Sequence, residues 1–433
     1  MTTRMAMGIA RVVSGTTAAQ AILLLGSLVV ARLVSPESFG LFASVSAGAI
    51  ILGSIVSLRL ELAIAVPSRR GEAVDIMTVA LIFSIVLSFI AGLGALAYPA
   101  ISGSDWYPKS IVLLLAYGVL IAATMGATSA MTQMALRDRR YSLVATRVAV
   151  QALVTVTAQV TLSAWVPGAP SLLAGLLTGQ VAGIFLLRGV FEGDVKIPSK
   201  KQIRDLLVQY RRFPLISAPS AVVNTMGLQT AVILGGILWG SAAAGWLGMT
   251  QRVLAGPVTV VGNAIGQVFI GEFGNLMRCR DPELYRQFLR VSAILASTGA
   301  ILASTVFVLA PHVAGVVLGD DYREVGTFSQ ALALGIAGQV LAGPLSVVLP
   351  MLGRQSWQAI WDVTRLGSVV GGLLSVASVG GGVTTAMWWL GGINFTMYVL
   401  LWIASCIAVR RACRSFLYPG DPVTVVDEMR RDA

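Results

Sequence analysis

The sequence predicts an all-α membrane protein of twelve transmembrane helices, arranged as two six-helix lobes around a central cleft. Three observations carry that expectation. Apolar stretches of roughly 18 residues or more recur from one end to the other, each long enough to cross a hydrocarbon core of about 30 Å. Only 12% of the 433 residues are charged and 56% are hydrophobic, whereas a soluble domain carries about a quarter charged residues. The basic residues fall on alternate connections, as they do in a chain that crosses a bilayer repeatedly. The apolar segments are continuous, which separates them from the alternating pattern of membrane β-strands.

The helices are expected in order as follows. The first, 9–34, begins near Ile9 with no small-residue cleavage site, so it reads as a true span. The second, 39–66, follows the short connection SPES, carries Arg59 and Glu61, and stops at Pro67 before Arg69 and Arg70. The third and fourth, 73–100 and 109–136, lead to the basic turn at Arg137, Arg139 and Arg140. The fifth, 141–166, contains Arg147. The sixth, 169–191, contains AGLLTGQVAG, whose small residues allow helices to approach closely and slide.

The connection EGDVKIPSKKQIRDLLVQYRRF, 192–213, is the longest charged one. Ile203, Leu206, Leu207 and Tyr210 recur there at helical spacing among basic residues, which predicts a short amphipathic helix lying on the inner leaflet. The seventh helix, 214–239, and the eighth, 242–270, which carries Arg252, are joined by WGSAA. The last four are expected at 287–310, 326–351, 357–379 (with Asp362 and Arg365) and 383–409. The organisation is therefore an N-terminal lobe at 1–191, a linker at 192–213, a C-terminal lobe at 214–411 and a tail at 412–433. SPESFGLFA at 35–43 and GSAAAGWLG at 240–248 occupy the same place in each half. That points to a parallel repeat about an axis along the membrane normal.

The net charge of +11 does not indicate nucleic acid, because most of the 31 Lys and Arg lie on one set of loops. The positive-inside rule places that side, and both termini, in the cytoplasm. The three cysteines (Cys279, Cys406, Cys413) form no motif and imply no disulfide framework. No G-x-x-x-x-G-K-[ST] loop is present for direct use of ATP.

Four arginines stand inside predicted spans: Arg59, Arg147, Arg252 and Arg365. A guanidinium at a helix centre costs at least about 2.5–3.5 kcal/mol, so such residues face protein or water and are functional candidates. Arg59 lies about 12 Å from the Pro67 end and Arg252 about 15 Å from the start of its helix, at 1.5 Å per residue. Arg147 lies nearer its helix end, where snorkelling to headgroups is the alternative. Asp362 and Arg365, three apart, share a helix face and can neutralise each other. Glu61 and Arg59, two apart, would diverge on a regular helix. The bases outnumber the acids, and the amides Gln20, Asn224 and Gln229 are polar residues of the first and seventh helices. Such a cavity suits a diphosphate joined to sugars, since arginine's planar fork binds two oxygens at once. Glu61 and Asp362 are the candidates for a coupling ion, Na+ or H+. No catalytic set, metal site or cofactor site is expected. The outer connection PHVAGVVLGDDYREVG, 311–326, holds His312, Asp320, Asp321 and Glu324 and reads as a solvated loop.

ARLVSPESFGLFA at 31–43, RLELAIAVP at 59–67, the RxRRY turn at 137–141, YRRFPLISAPSAVVN at 210–224 and QRVLAGPVTVVGNAIGQVF at 251–269 resemble the Wzx-type polysaccharide flippases. These belong to the multidrug/oligosaccharidyl-lipid/polysaccharide (MOP) exporter superfamily. The resemblance implies two six-helix lobes in a V, with the first, second, seventh and eighth helices lining the cleft. Arg59, Glu61 and Arg252 would then be cavity residues. The family has an aromatic where this chain has Leu60. The implied substrate is a polyprenyl-diphosphate-linked oligosaccharide, flipped across a bacterial inner membrane, with membrane lipids and the polysaccharide polymerase machinery as neighbours. The alternative is a multidrug or other small-molecule antiporter of the same superfamily. The major-facilitator signature G-x-x-x-D-R-x-G-R-R is absent, PSRRGEAVD standing in its place.

Overall fold

The structure is a computed structural model, which describes residues 3–102, 109–191, 198–279, 281 and 283–417. Within the predicted linker and tail, 192–197 and 418–433 lie outside the described residues. The α-helices are α1 (Thr3–Leu33), α2 (Pro36–Gly53), α3 (Arg70–Ser102), α4 (Lys109–Arg137), α5 (Tyr141–Trp165), α6 (Ala169–Leu187) and α7 (Lys200–Gln209). They continue with α8 (Ala218–Trp239), α9 (Ser241–Arg278), α10 (Glu283–Leu318), α11 (Glu324–Ala342), α12 (Val348–Met351), α13 (Gln355–Ser378) and α14 (Val383–Leu417). Among the described residues, 11 helical segments are long and apolar enough to cross a membrane. The remaining predicted span, 242–270, falls within α9, a continuous helix of 38 residues.

Two predicted helices are interrupted. The second was expected unbroken over 39–66. Instead α2 ends at Gly53, where the Ser54 hydroxyl donates to Ile51 O at 2.7 Å. The backbone then turns through left-handed conformations at Leu58 and Arg59 and resumes as a 3-10 helix at Leu60–Ala65. Pro67 follows closely and offers no N–H to continue the ladder. The tenth predicted helix, 326–351, ends as α11 at Ala342 before Gly343–Pro344 and resumes only in α12, because proline offers no N–H to the helical ladder. Conversely, the expected outer loop at 311–326 is largely helical. α10 runs through Pro311 to Leu318, with His312 Nδ1 2.9 Å from Val308 O.

The chain packs as two compact units. One comprises Met1–Gly256 with Gly315–Tyr322; the other comprises Pro257–Ala314 with Arg323–Ala433. The first unit thus takes in α8 and the start of α9, its limit falling at Gly256–Pro257 instead of within 192–213. In the second unit α14 packs along α11 and α13, and in its buried interior the Phe269 ring meets Phe273 at a tilt and Phe288 edge-on.

In the first unit α1 packs on α5, α5 on α6, α4 on α3 and α6, and α2 on α4 and α8. The starts of α2 and α9 touch at glycine. A Cβ on Gly40 would stand 1.8 Å from Ser241 O, and one on Gly245 1.9 Å from Pro36 O. The contact is reciprocal, since Gly40 corresponds to Gly245 and Pro36 to Ser241 in the two related segments. At the same end Tyr322 is fully buried and donates to Val34 O at 2.9 Å, Trp246 Nε1 donates to Asp321 O at 2.9 Å, and Arg32 donates to Val316 O at 3.0 Å.

The linker helix α7 forms as expected, capped by Ser199 and Gln202 in a reciprocal capping box. Its apolar face is occupied differently. Ile203, Leu206 and Leu207 pack against the buried cluster of Leu60, Ile64, Ile76 and Met134, so the bundle covers that face where lipid was expected to. Tyr210 donates to Glu72 at 2.7 Å and Gln209 donates to the same carboxylate at 3.1 Å. Burial, then the Glu72 hydrogen bond and charge, push the Tyr210 phenol up to about 12.

Candidate functional site

The break in the second predicted helix determines how its charges meet. On a regular helix Arg59 and Glu61 would point apart, but the left-handed turn at Leu58–Arg59 folds them together. Arg59 Nη1 lies 3.3 Å from Glu61 Oε1, and the Ser57 hydroxyl donates to Glu61 Oε2 at 2.6 Å. The Glu61 side chain is 4% exposed and that of Arg59 32%. The expected divergence of the two side chains is therefore corrected. The carboxylate is held by its own neighbours, while part of the guanidinium stays open.

Arg252 sits in the first half of α9. It donates to Gln159 Oε1 at 3.0 Å, and the Gln159 amide donates onward to Leu172 O at 3.0 Å. A neutral amide thus orients the guanidinium, and no acid among the described residues pairs with it.

Gln159 belongs to a stripe. Arg147, Gln151, Thr155 and Gln159 recur every four residues along α5, the spacing that aligns side chains on one helix face. Facing them on α6 are glycines, also four apart. A Cβ at Gly175 would lie 2.5 Å from the Gln159 side chain, one at Gly179 1.8 Å from Thr155 Oγ1, and one at Gly183 2.9 Å from Gln151 Oε1. The expected close approach of the AGLLTGQVAG helix is thus what accommodates a polar seam within an apolar bundle. The sequence reading missed Gln151, Thr155 and Gln159, although their four-residue spacing from Arg147 was the available signal. It also missed Ser57, which only the broken helix brings to Glu61.

Arg147 lines a cavity of about 250 Å³ with Thr128, Ser129 and Gln133 of α4 and Gln180 of α6. Its Nε is buried and makes no hydrogen bond. This geometry differs from the snorkelling alternative, because the group is aimed between helices.

The structure does not gather all the candidates together. Arg365 and Asp362 lie in the second unit, 2% and 3% exposed. The Arg365 guanidinium lies 4.8 Å from the centre of the Trp361 ring and donates to the Tyr398 hydroxyl at 3.3 Å, which is the packing of a buried group. Gln20 of α1 and Asn224 and Gln229 of α8 are half-buried in the first unit.

A family model described as "Polysaccharide biosynthesis protein" matches residues 29–327. No curated protein matches the chain. Among solved structures, the chain is similar to an inward-facing multidrug resistance MATE family transporter of the MOP superfamily. That match has 17% identity, covers 92% of this chain and 96% of the other, and has a TM-score of 0.66. It is also similar to a MOP superfamily transporter from Pyrococcus furiosus, described as having a binding pocket of reverse polarity that suggests a different function. There the identity is 15%, the coverage 94% and 96%, and the TM-score 0.63. An outward-facing MATE transporter matches at 16% identity, 94% and 96% coverage and a TM-score of 0.57.

Proposed function

The chain belongs to the polysaccharide biosynthesis protein family, and on that premise we propose that it flips a polyprenyl-diphosphate-linked oligosaccharide from the inner to the outer leaflet. It is a multi-pass membrane protein with the fold of MOP superfamily transporters. The finer reading rests on the sign of the charges held inside the first unit. Arg59, Arg147 and Arg252 all lie in membrane-length segments or the break between them, and among the described residues only Arg59 of the three has an acidic partner.

An uncompensated guanidinium in an apolar bundle is expensive and is suited to a phosphoryl oxygen. Arg252, oriented from behind by Gln159, and Arg59, half-open beside Glu61, are the groups assigned to the diphosphate. The half-buried amides Gln20, Asn224 and Gln229 are assigned to the sugars. The polyprenyl tail stays in lipid while the two lobes rock, and no bond is made or broken. The drug-antiporter alternative draws on neighbours below 25% identity, which share the fold. Glu61, the acid beside Arg59, is already engaged by Arg59 and Ser57, which disfavours it as the holder of a cation.

The test is export of surface polysaccharide in cells whose only copy is a variant, at matched expression. Arg252→Ala and Arg59→Ala are each expected to lower export at least tenfold. Lysine should restore part of it at Arg59 and less at Arg252, where the amide contact favours the planar fork. Normal export by both alanine variants would overturn the assignment.

A further inference from the structure

We infer that the cavity among α4, α5 and α6 binds a small inorganic anion at Arg147, separately from the groups assigned to the diphosphate. Four observations lead there. Arg147 Nε is buried and makes no hydrogen bond among the described residues, and its positive charge enters a cavity with no carboxylate on its lining. Arginine keeps its charge under all ordinary conditions, so the charge is not removed by deprotonation.

The remaining lining is rich in donors. Ser129, Gln133 and Gln180 add a hydroxyl and two amides. The Thr128 and Thr132 hydroxyls already give their protons to the carbonyls of Thr124 and Thr128, each at 2.6 Å. The donors left over are those of arginine, serine and glutamine, a set that suits an anion.

The space is also made locally. Gly183 lies against Arg147 and Gln151, and a methyl group there would come 3.4 Å from Arg147 Nε and 2.9 Å from Gln151 Oε1. A glycine at this position leaves the guanidinium room that alanine would take.

Distance separates this site from the groups assigned to the diphosphate. The cavity of about 250 Å³ has room for a chloride or a phosphate. Arg147 and Gln159 are twelve residues apart on α5, about 18 Å at 1.5 Å per residue, so one diphosphate cannot reach both Arg147 and the Gln159–Arg252 contact.

The experiment uses the purified full-length chain in detergent, with no lipid-linked sugar present, so its result is independent of the proposed substrate. Thermal unfolding is followed at fixed ionic strength while sodium gluconate is replaced by sodium chloride in one arm and sodium phosphate in another. A saturable rise in midpoint is expected with at least one of the two, and the arm that responds identifies the ion. Arg147→Gln should weaken the apparent affinity at least tenfold, and Arg286→Gln, at an exposed arginine in the first turn of α10, should leave it unchanged. Should Arg147→Gln fold poorly, Arg147→Lys and Gly183→Ala serve instead, each with an expected loss of several-fold. No anion dependence in the wild type, or equal dependence in the Arg147 variants, overturns the inference.

Discussion

Leu58 and Arg59 hold φ of 53° and 56°, a conformation that costs an L-residue with a Cβ about 1–2 kcal/mol. The strain lies where the chain must turn a guanidinium back onto a carboxylate two residues away. At position 58 it can be separated from the loss of the leucine side chain by comparing two truncations. In an ordinary helix alanine is more stable than glycine by about 1 kcal/mol. Here Leu58→Gly should be more stable than Leu58→Ala by about 1 kcal/mol, because only alanine retains the Cβ clash. The two thermal midpoints measure this, and the usual order would show that the turn is absent in the folded protein. The site was partly legible at this scale. Charged residue types in apolar segments stood out as Arg59, Arg147 and Arg252. Their partners did not, because Ser57 and Gln159 are ordinary residues until a broken helix or a neighbouring helix brings them close. Arg365 looked the same in sequence, yet aromatic rings enclose it, and no local pattern distinguishes a buried cation from one facing a cavity.

The elements themselves were largely readable, since hydropathy over about twenty residues is a strong signal and each predicted span corresponds to helix. The two breaks were less visible. An interruption of five or six residues barely alters mean hydropathy, and apolar side chains continue across it. The linker helix shows the same limit from another direction. Spacing identified the apolar face of α7, but spacing does not say whether lipid or protein covers it. The structure ties α7 to α3 through Tyr210 and Glu72, and this link carries a pH dependence. The folded state holds the Tyr210 proton more tightly than the unfolded chain, about 12 against an ordinary value of about 10. Its contribution is therefore complete below about pH 10 and is lost as pH rises from there toward 12. Tyr210→Phe should lower stability by about 1–2 kcal/mol near neutrality, as for a hydrogen bond to a charged group, and should remove this part of the alkaline loss. Thermal midpoints across pH 8–12 for the two proteins would show their curves converging; parallel curves would exclude the link.

At the scale of the whole molecule, the related segments at 35–43 and 240–248 meet each other. Gly40 faces the carbonyl of Ser241, and Gly245 faces the carbonyl of Pro36, as a pseudo-two-fold axis between the starts of α2 and α9 requires. Each segment presents the same patch to the other, as in an isologous interface. Equivalent substitutions on the two sides should therefore behave alike. Gly40→Ala and Gly245→Ala each place a methyl group against backbone, which cannot rotate away, so each should destabilise by about 1–3 kcal/mol or more. Once one methyl has parted the helices the second finds room already made, so the double variant should fall short of the sum. Gly48→Ala on the same helix is the control. A Cβ there meets nothing within 4 Å, and alanine is the better helix former, so that variant should be neutral or slightly stabilised. Thermal unfolding of the four proteins in one detergent decides the matter. Unequal single effects with full additivity would mean that the two glycines belong to independent contacts, and the axis would lose its support.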